Sequence, residues 1–271
     1  MTINEALKYG TDNLGQRDAM LLLCHVTGQS SAYVLLHGDK PLVNSAEYVA
    51  YVGRRKQGEP LQYVMGRWDF MGLTLRTDSR ALIPRPETEL LTEEALGFLQ
   101  QNRVDEQRLE VLDLCTGSGC IAAAIAGAGD YNVTAVDVSA DALALAQENG
   151  EGLGIKFIQS DLFTEVTGRF DLIISNPPYI TGKEMDELDP TVLNYEPHLA
   201  LHGGEDGMDV YRKLIPESLK FLKPGGGLFL EIGPAAVADI MTAAGFTDVQ
   251  LKNDYAGLPR IIRGIAHYFA K

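Results

Sequence analysis

The stretch Leu109-Glu-Val-Leu-Asp113, continuing as Leu-Cys-Thr-Gly-Ser-Gly-Cys120, decides how this chain is read. An apolar strand runs into a turn of small residues, and a helix from Gly119 to Ala126 leaves that turn. In a doubly wound sheet such a turn lies at the carboxyl end of a strand, where ligands bind and small residues let the backbone come close. The same alternation continues downstream: Asn132-Val-Thr-Ala-Val-Asp137 reads as a strand, Ala140 to Gly150 as a helix, and Lys156-Phe-Ile-Gln-Ser160 as another strand. Asp171-Leu-Ile-Ile-Ser175 and Gly227-Leu-Phe-Leu-Glu-Ile232 are further strands, with a helix from about Val210 to Leu222 before the last. The repetition predicts an α/β fold with a largely parallel sheet covered by helices on both faces. The tail departs from it: Asp248-Val-Gln-Leu-Lys252 and Arg260-Ile-Ile-Arg-Gly-Ile265 flank Tyr255-Ala-Gly-Leu-Pro259, which predicts an antiparallel hairpin at the sheet edge.

Upstream the texture is helical from Asn4 to about Gly53. Asp18 reads as the N-cap of an apolar run that Gly28 stops, and a second helix from about Ser45 places Tyr48, Val49 and Val52 on one face. Arg54, Arg55 and Lys56 fall near its end, where cations complement the helix dipole. Between Leu61 and Thr77 the pattern reads as β, with Gln62-Tyr-Val-Met-Gly66 followed by Trp68 to Leu75 and with Gly66 and Gly72 allowing turns. Ile83-Pro-Arg-Pro-Glu-Thr-Glu89 is an extended turn in which Glu87 begins a helix. The expected division is a helical domain over 1–60, a β-hairpin linker over 61–82 and an α/β domain over 83–271.

The chain has 271 residues, 45% of them hydrophobic, and 23 Lys+Arg against 37 Asp+Glu give it a formal charge of −14. A protein gripping nucleic acid through phosphates needs clustered cations, so no stable nucleic-acid partner is expected. No apolar run approaches the roughly 18 residues of a membrane helix, so no membrane association is expected either. Met1 to Asp18 does not resemble an export signal, and three cysteines, Cys24, Cys115 and Cys120, read as reduced thiols of a cytoplasmic protein. No metal site is expected, since Cys115 and Cys120 lack a second Cys/His pair nearby.

At the carboxyl ends of the strands, Asp137 can accept hydrogen bonds from both hydroxyls of a ribose. A dinucleotide fingerprint requires a third glycine that Cys115-Thr-Gly117-Ser-Gly119-Cys-Ile lacks. The match is better to the D-x-G-x-G-x-G pattern of methyltransferases that bind S-adenosylmethionine, with Cys115 at its first glycine. Gln159-Ser-Asp161-Leu162 follows the next strand, where Asp161 offers an acceptor to an adenine amino group and Leu162 packs on the ring. The expected cofactor residues are Asp113, Cys115, Thr116, Gly117, Ser118, Gly119, Asp137, Asp161, Leu162 and Asn176.

Asp171-Leu-Ile-Ile-Ser-Asn-Pro-Pro-Tyr179 carries the chemistry. Asn176 can offer a carboxamide oxygen and Pro177 a carbonyl to the two N–H bonds of a planar NH2 group, while the Tyr179 ring packs on its face. Two fixed acceptors favour rehybridisation of a nitrogen whose lone pair is delocalised, so transfer is direct, without a covalent enzyme intermediate and without a strong general base. Asn176, Pro177 and Tyr179 are therefore the expected catalytic residues, and Asn176, Pro177, Pro178 and Tyr179 the expected substrate site.

With Leu21-Leu-Leu23, Ile83 to Glu89, the Asp113 turn, Asn176 to Tyr179, Tyr195-Glu-Pro-His198 and Gly203-Gly-Glu-Asp-Gly207, the chain closely resembles the bacterial release-factor glutamine methyltransferases, the HemK or PrmC family. The resemblance covers nearly the whole chain. It implies a class I S-adenosylmethionine-dependent methyltransferase, Rossmann-like with a mostly parallel seven-stranded sheet, and a small N-terminal helical domain that contacts the substrate. It also implies N5-methylation of the glutamine in the Gly-Gly-Gln loop of peptide chain release factors, with S-adenosylhomocysteine as product; the chain itself is expected to be a monomer. Family members often have an aromatic residue where Leu162 stands. Arg85 and Glu87 are expected to border the active site or brace its loop, and Glu196 and His198 to form a structural lid. Glutamine methylation of a ribosomal protein is the nearest alternative. Adenine-N6 methylation of nucleic acid and a non-catalytic cofactor-binding module are weaker ones, opposed by the charge and by the intact Asn176 motif respectively.

Overall fold

The computed structural model describes residues 1–103 and 107–267. Its elements begin with the helices α1 (Ile3–Leu14), α2 (Gln16–Thr27), α3 (Ser31–Leu36), α4 (Ser45–Lys56) and α5 (Leu61–Met65). The strands β1 (Arg67–Phe70) and β2 (Leu73–Arg76) and the helix α6 (Pro86–Gln101) follow. Then come β3 (Leu109–Leu114), α7 (Cys120–Ala128), β4 (Tyr131–Asp137), α8 (Ala140–Asn149), β5 (Lys156–Gln159) and β6 (Phe170–Ser175). The short helices α9 (Gly182–Asp186) and α10 (Pro190–Leu193) precede α11 (Asp209–Phe221), β7 (Leu222–Glu231), α12 (Val237–Ala244), β8 (Phe246–Asn253) and β9 (Pro259–Ala266).

The chain divides into two compact units. The first is Met1–Arg67 together with Asp189–Tyr195; the second is Trp68–Leu188 together with the chain from Glu196 onward. In the first unit, Thr2 and Glu5 form a reciprocal capping box that starts α1. Leu22 and Leu23 of α2, Tyr48 and Val52 of α4 and Leu61 and Val64 of α5 share one core. Asp18 lies in the first turn of α2 behind the N-cap Gly15, and its carboxylate meets Arg55 at 2.8 Å. Residues 61–65, expected as β, form the helix α5: Leu61 and Val64, three apart, face the same core, and Gly66 ends the helix at φ 67°. A short apolar run does not distinguish helix from strand until its neighbours are known. The hairpin is confined to β1 and β2, joined by Met71 and Gly72 at φ 50° and 77°, the left-handed pair that a tight hairpin turn requires.

In the second unit seven strands run in the order β5-β4-β3-β6-β7-β9-β8. Strand β3 pairs in parallel with both β4 and β6, β7 pairs in parallel with β6, and β9 lies antiparallel between β7 and β8. The chain winds outward from β3 to β5 and then crosses back to β6, so strand order reverses between β3 and β6 and a crevice opens at their carboxyl ends. Alternation along the strands serves two cores. Val111, Leu172, Ile174 and Phe229 pack with Leu91 and Leu99 of α6 and Ile121 and Ile125 of α7. Leu112, Ile173, Leu228 and Leu230 pack with Tyr211 and Leu214 of α11 and Met241 of α12. Each fully buried leucine or isoleucine contributes about 1.5–3 kcal/mol.

Gly119 joins the turn to α7 at φ 76°, and a Cβ there would lie 3.0 Å from Ala146 Cα on α8. We expect Gly119→Ala to lower the unfolding free energy by about 2 kcal/mol through overpacking and left-handed strain. Gly97→Ala, on α6 with open space around it, should leave it unchanged or slightly raised. Urea denaturation of both variants checks the pair.

Candidate active site

The turn after β3 is held by its own backbone and by one carboxylate. Thr116 N–H donates to the Val136 carbonyl at 2.9 Å, and Gly119 N–H donates to the Thr116 carbonyl at 2.8 Å. Asp137, at the end of β4, accepts the Gly117 amide on Oδ2 and the Ser139 amide on Oδ1, both at 2.9 Å. Burial pushes the Asp137 carboxyl up from its ordinary range, while these amides favour its ionised form. Cys115, Gly117 and Gly119 all have positive φ, at 56°, 55° and 76°. Cys115 thus keeps the backbone shape of the glycine it replaces, at a cost of about 1–2 kcal/mol. Burial pushes its thiol up to about 12, which leaves it a neutral packing group.

Asp113 is fully buried beneath this turn. Its Oδ2 accepts the Thr116 hydroxyl at 2.6 Å, whereas Oδ1 has no hydrogen-bond partner among the described residues. Burial pushes its carboxyl up to about 7 against the pull of the Thr116 hydroxyl.

A cavity of about 210 Å³ opens above these groups. Cys115, Thr116, Gly117, Ser118, Asp137, Asp161, Leu162, Asn176 and Pro178 are on its wall, whereas Asp113, Gly119, Pro177 and Tyr179 are not. Leu162 is held at φ 48°, beside a Ser160 hydroxyl that donates to its carbonyl at 3.0 Å. The wall also includes residues not anticipated from sequence. Arg80 to Pro84 and Thr88 flank the expected Arg85, and Leu199, Ala200, Val210 and Lys213 come from later segments.

Arg85 is tied to Glu196 at 2.5 Å, and the same buried carboxylate accepts the Ile83 amide at 3.1 Å. Glu196 therefore fastens the Ile83-Pro-Arg-Pro segment to the start of the 3₁₀ turn His198–Ala200. His198 and Glu87 are off the cavity wall.

Asn176 leaves the end of β6 with its orientation set: Nδ2 donates to Thr88 Oγ1 at 3.1 Å, which turns Oδ1 the other way. Thr88 in turn donates to Glu231 Oε2 at 2.6 Å, and the Tyr179 phenol donates to Glu231 Oε1 at 3.1 Å. The glycines around Gly203 explain themselves here. A Cβ on Gly203 would come within 2.6 Å of Tyr179 Cα, one on Gly207 within 2.4 Å of the Tyr179 carbonyl oxygen, and one on Gly233 within 2.7 Å of the ring. The Ile180 amide donates to the Leu201 carbonyl and the Gly203 amide to the Ile180 carbonyl, both at 2.9 Å. The segment after Asn176 is thus clamped against backbone, and a Cβ at any of these three glycines would displace it. Nothing in the spacing of Thr88 or Glu231 marks them from sequence, since each joins the site only through the fold.

S-adenosylmethionine fits the donors present. Asp137 supplies carboxylate acceptors for a diol, and Asp161 and Leu162 supply an acceptor and an apolar face, all on the cavity wall.

Two family models match the chain: the PrmC N-terminal domain over residues 5–66 and the methyltransferase small domain over residues 94–191. A release factor glutamine methyltransferase of Deinococcus radiodurans is 41% identical over 255 residues, covering 91% of this chain and 89% of the relative. One of Clostridium acetobutylicum is 34% identical over 272 residues, covering 96% of this chain and 94% of the relative. Among solved structures, a T. thermophilus 16S rRNA N2 G1207 methyltransferase in complex with AdoMet and guanosine matches with a TM-score of 0.54 at 21% identity. It covers 74% of this chain and 50% of that one, and it bears on the fold alone. Among the described residues, no helix is long and apolar enough to cross a membrane.

Asp113 gives the site a pH signature. With a folded pKa of about 7 above an unfolded value of about 3.9, its protonated form is the one the ligand-free fold favours. Its stabilising share is complete below about pH 4 and is lost as the pH rises through 7. Asp113→Asn, which cannot ionise, should flatten the fall in melting temperature of the ligand-free protein between pH 5 and pH 8; an unchanged slope would remove Asp113 as its source.

Proposed function

The chain belongs to the release factor glutamine methyltransferase family, and from that premise we propose that it transfers a methyl group from S-adenosylmethionine to the side-chain amide nitrogen of the glutamine in the Gly-Gly-Gln loop of peptide chain release factors. The observation that carries this reading is the orientation of Asn176: with Nδ2 committed to Thr88, the oxygen is the end left to receive an N–H from a substrate on the cavity side.

The residues divide by role. Asp137 would hold the ribose hydroxyls, Asp161 and Leu162 the adenine, and the Cys115-Thr-Gly-Ser118 turn the remainder of the cofactor. Bound S-adenosylmethionine supplies an electrophilic sulfonium methyl. Asn176 Oδ1 and the Pro177 carbonyl accept the two N–H bonds of the glutamine amide, while Tyr179 shapes the face on which that amide lies. Holding both N–H bonds turns the nitrogen lone pair away from its carbonyl and toward the methyl, so orientation and fixed dipoles supply the catalysis. As the C–N bond forms, the S–CH3 bond breaks and its electron pair stays on sulfur, leaving S-adenosylhomocysteine; the methylated nitrogen is acidic and loses its proton to water, so no dedicated base is needed. The helical unit provides the surface that engages the body of the release factor.

Labelled S-adenosylmethionine tests the assignment. Release factor should incorporate label, and its Gln→Ala variant in the Gly-Gly-Gln loop should not; equal incorporation would refute the target. Asn176→Ala should cut kcat by about 100-fold or more while the Kd for cofactor moves little. Asp137→Ala should instead raise that Kd by about tenfold or more, since it removes charge-assisted acceptors.

A further inference from the structure

We propose that Glu231 is a positioning residue for methyl transfer: through the Thr88 hydroxyl it sets which end of the Asn176 carboxamide faces the substrate, and through the Tyr179 phenol it fixes the neighbouring ring. The inference rests on the reading of Asn176 as the amide acceptor and adds the reason that it points the right way.

Counting donors decides it. The Thr88 hydroxyl has one proton and lies 2.6 Å from Glu231 Oε2 and 3.1 Å from Asn176 Nδ2. An ionised carboxylate can only accept, so the Thr88 proton goes to Glu231, and Thr88 then meets Asn176 with lone pairs alone. Only the NH2 end of the carboxamide can answer lone pairs. Were the amide flipped, its oxygen would need the proton that Glu231 already holds. The second carboxylate oxygen takes the Tyr179 hydroxyl at 3.1 Å, so one charge fixes both Asn176 and Tyr179.

The surroundings keep this centre rigid. Glu231 is 1% exposed, Tyr211 donates to its backbone carbonyl at 2.8 Å, and Thr92 donates to the Thr88 carbonyl at 2.8 Å. Burial pushes the Glu231 carboxyl up, and the Glu87 charge adds to that push; the Thr88 and Tyr179 hydroxyls and the Arg260 charge favour its ionised form. Thr88 reaches the cavity wall, whereas Glu231 is behind it, so a change at Glu231 alters the relay without removing a contact to anything bound.

The test uses pairs that keep shape and change acceptors. Glu231→Met removes both carboxylate oxygens at similar length, and Thr88→Val removes the hydroxyl. Each should lower kcat by about 10- to 100-fold, with KM for release factor and Kd for S-adenosylmethionine within about threefold of the parent. Glu231→Gln, which still offers one oxygen to Thr88, and Thr88→Ser should recover most of the rate. On an Asn176→Ala background, Thr88→Val should cost nothing further. If folded Glu231→Met or Thr88→Val keeps kcat within about twofold of the parent while Asn176→Ala is inactive, the positioning role is overturned and the acceptor role stands. An active Asn176→Ala would instead overturn the acceptor reading itself. Circular dichroism and melting temperature identify a variant that fails to fold, and the other substitution then decides.

Discussion

Carboxylates withdrawn from water near the carboxyl ends of three strands are the constraint around which this molecule is arranged. Asp113 on β3, Asp137 on β4 and Glu231 on β7 are each pushed up by desolvation, and a buried charge without partners costs several kcal/mol. Partners come from the chain itself: the Thr116 hydroxyl, the Gly117 and Ser139 amides, and the Thr88 and Tyr179 hydroxyls. Meeting that demand binds the glycine turn to β4 and the first turn of α6 to β7. Of these acids Asp137 is the one on the cavity wall, where its carboxylate suits a cofactor that arrives with a sulfonium charge.

Much of this is legible in the sequence, for physical reasons. Strand and helix periodicities in a doubly wound unit are local, so β3 to β6 and their helices lie within a few residues of where apolar spacing puts them. The sheet-edge hairpin is legible too, because an alternating run and an isoleucine-rich one flank the Tyr255-Ala-Gly-Leu-Pro259 turn. The helix α5 is not: five residues of Leu-Gln-Tyr-Val-Met take their conformation from a core that spacing does not reveal. Strand β7 starts at Leu222, through Pro224, Gly225 and Gly226, ahead of Gly227 where apolar spacing begins it.

At the site, motif positions whose chemistry is stated by the residue type, such as Asp137 and Asn176, can be named in advance. Thr88 and Glu231 lie 143 positions apart and gain meaning only when β7 docks beside α6. Gly203, Gly207 and Gly233 are similar: the sequence shows the glycines, but only the clamp around Tyr179 shows what a side chain would strike. The Arg85 to Glu196 contact joins two motif segments whose pairing no local pattern predicts.

The composition of the first compact unit bears on how the protein is made. Residues 1–67 leave the ribosome early, yet residues 189–195 belong to the same unit, with the Tyr195 phenol donating to the Gln57 carbonyl at 3.1 Å. The unit therefore stays incomplete until most of the sheet has been synthesised. Its last piece arrives only after β3 to β6 have emerged, so biogenesis couples maturation of the helical unit to that of the sheet, and a chain truncated before residue 189 would carry the helices without the segment that completes them.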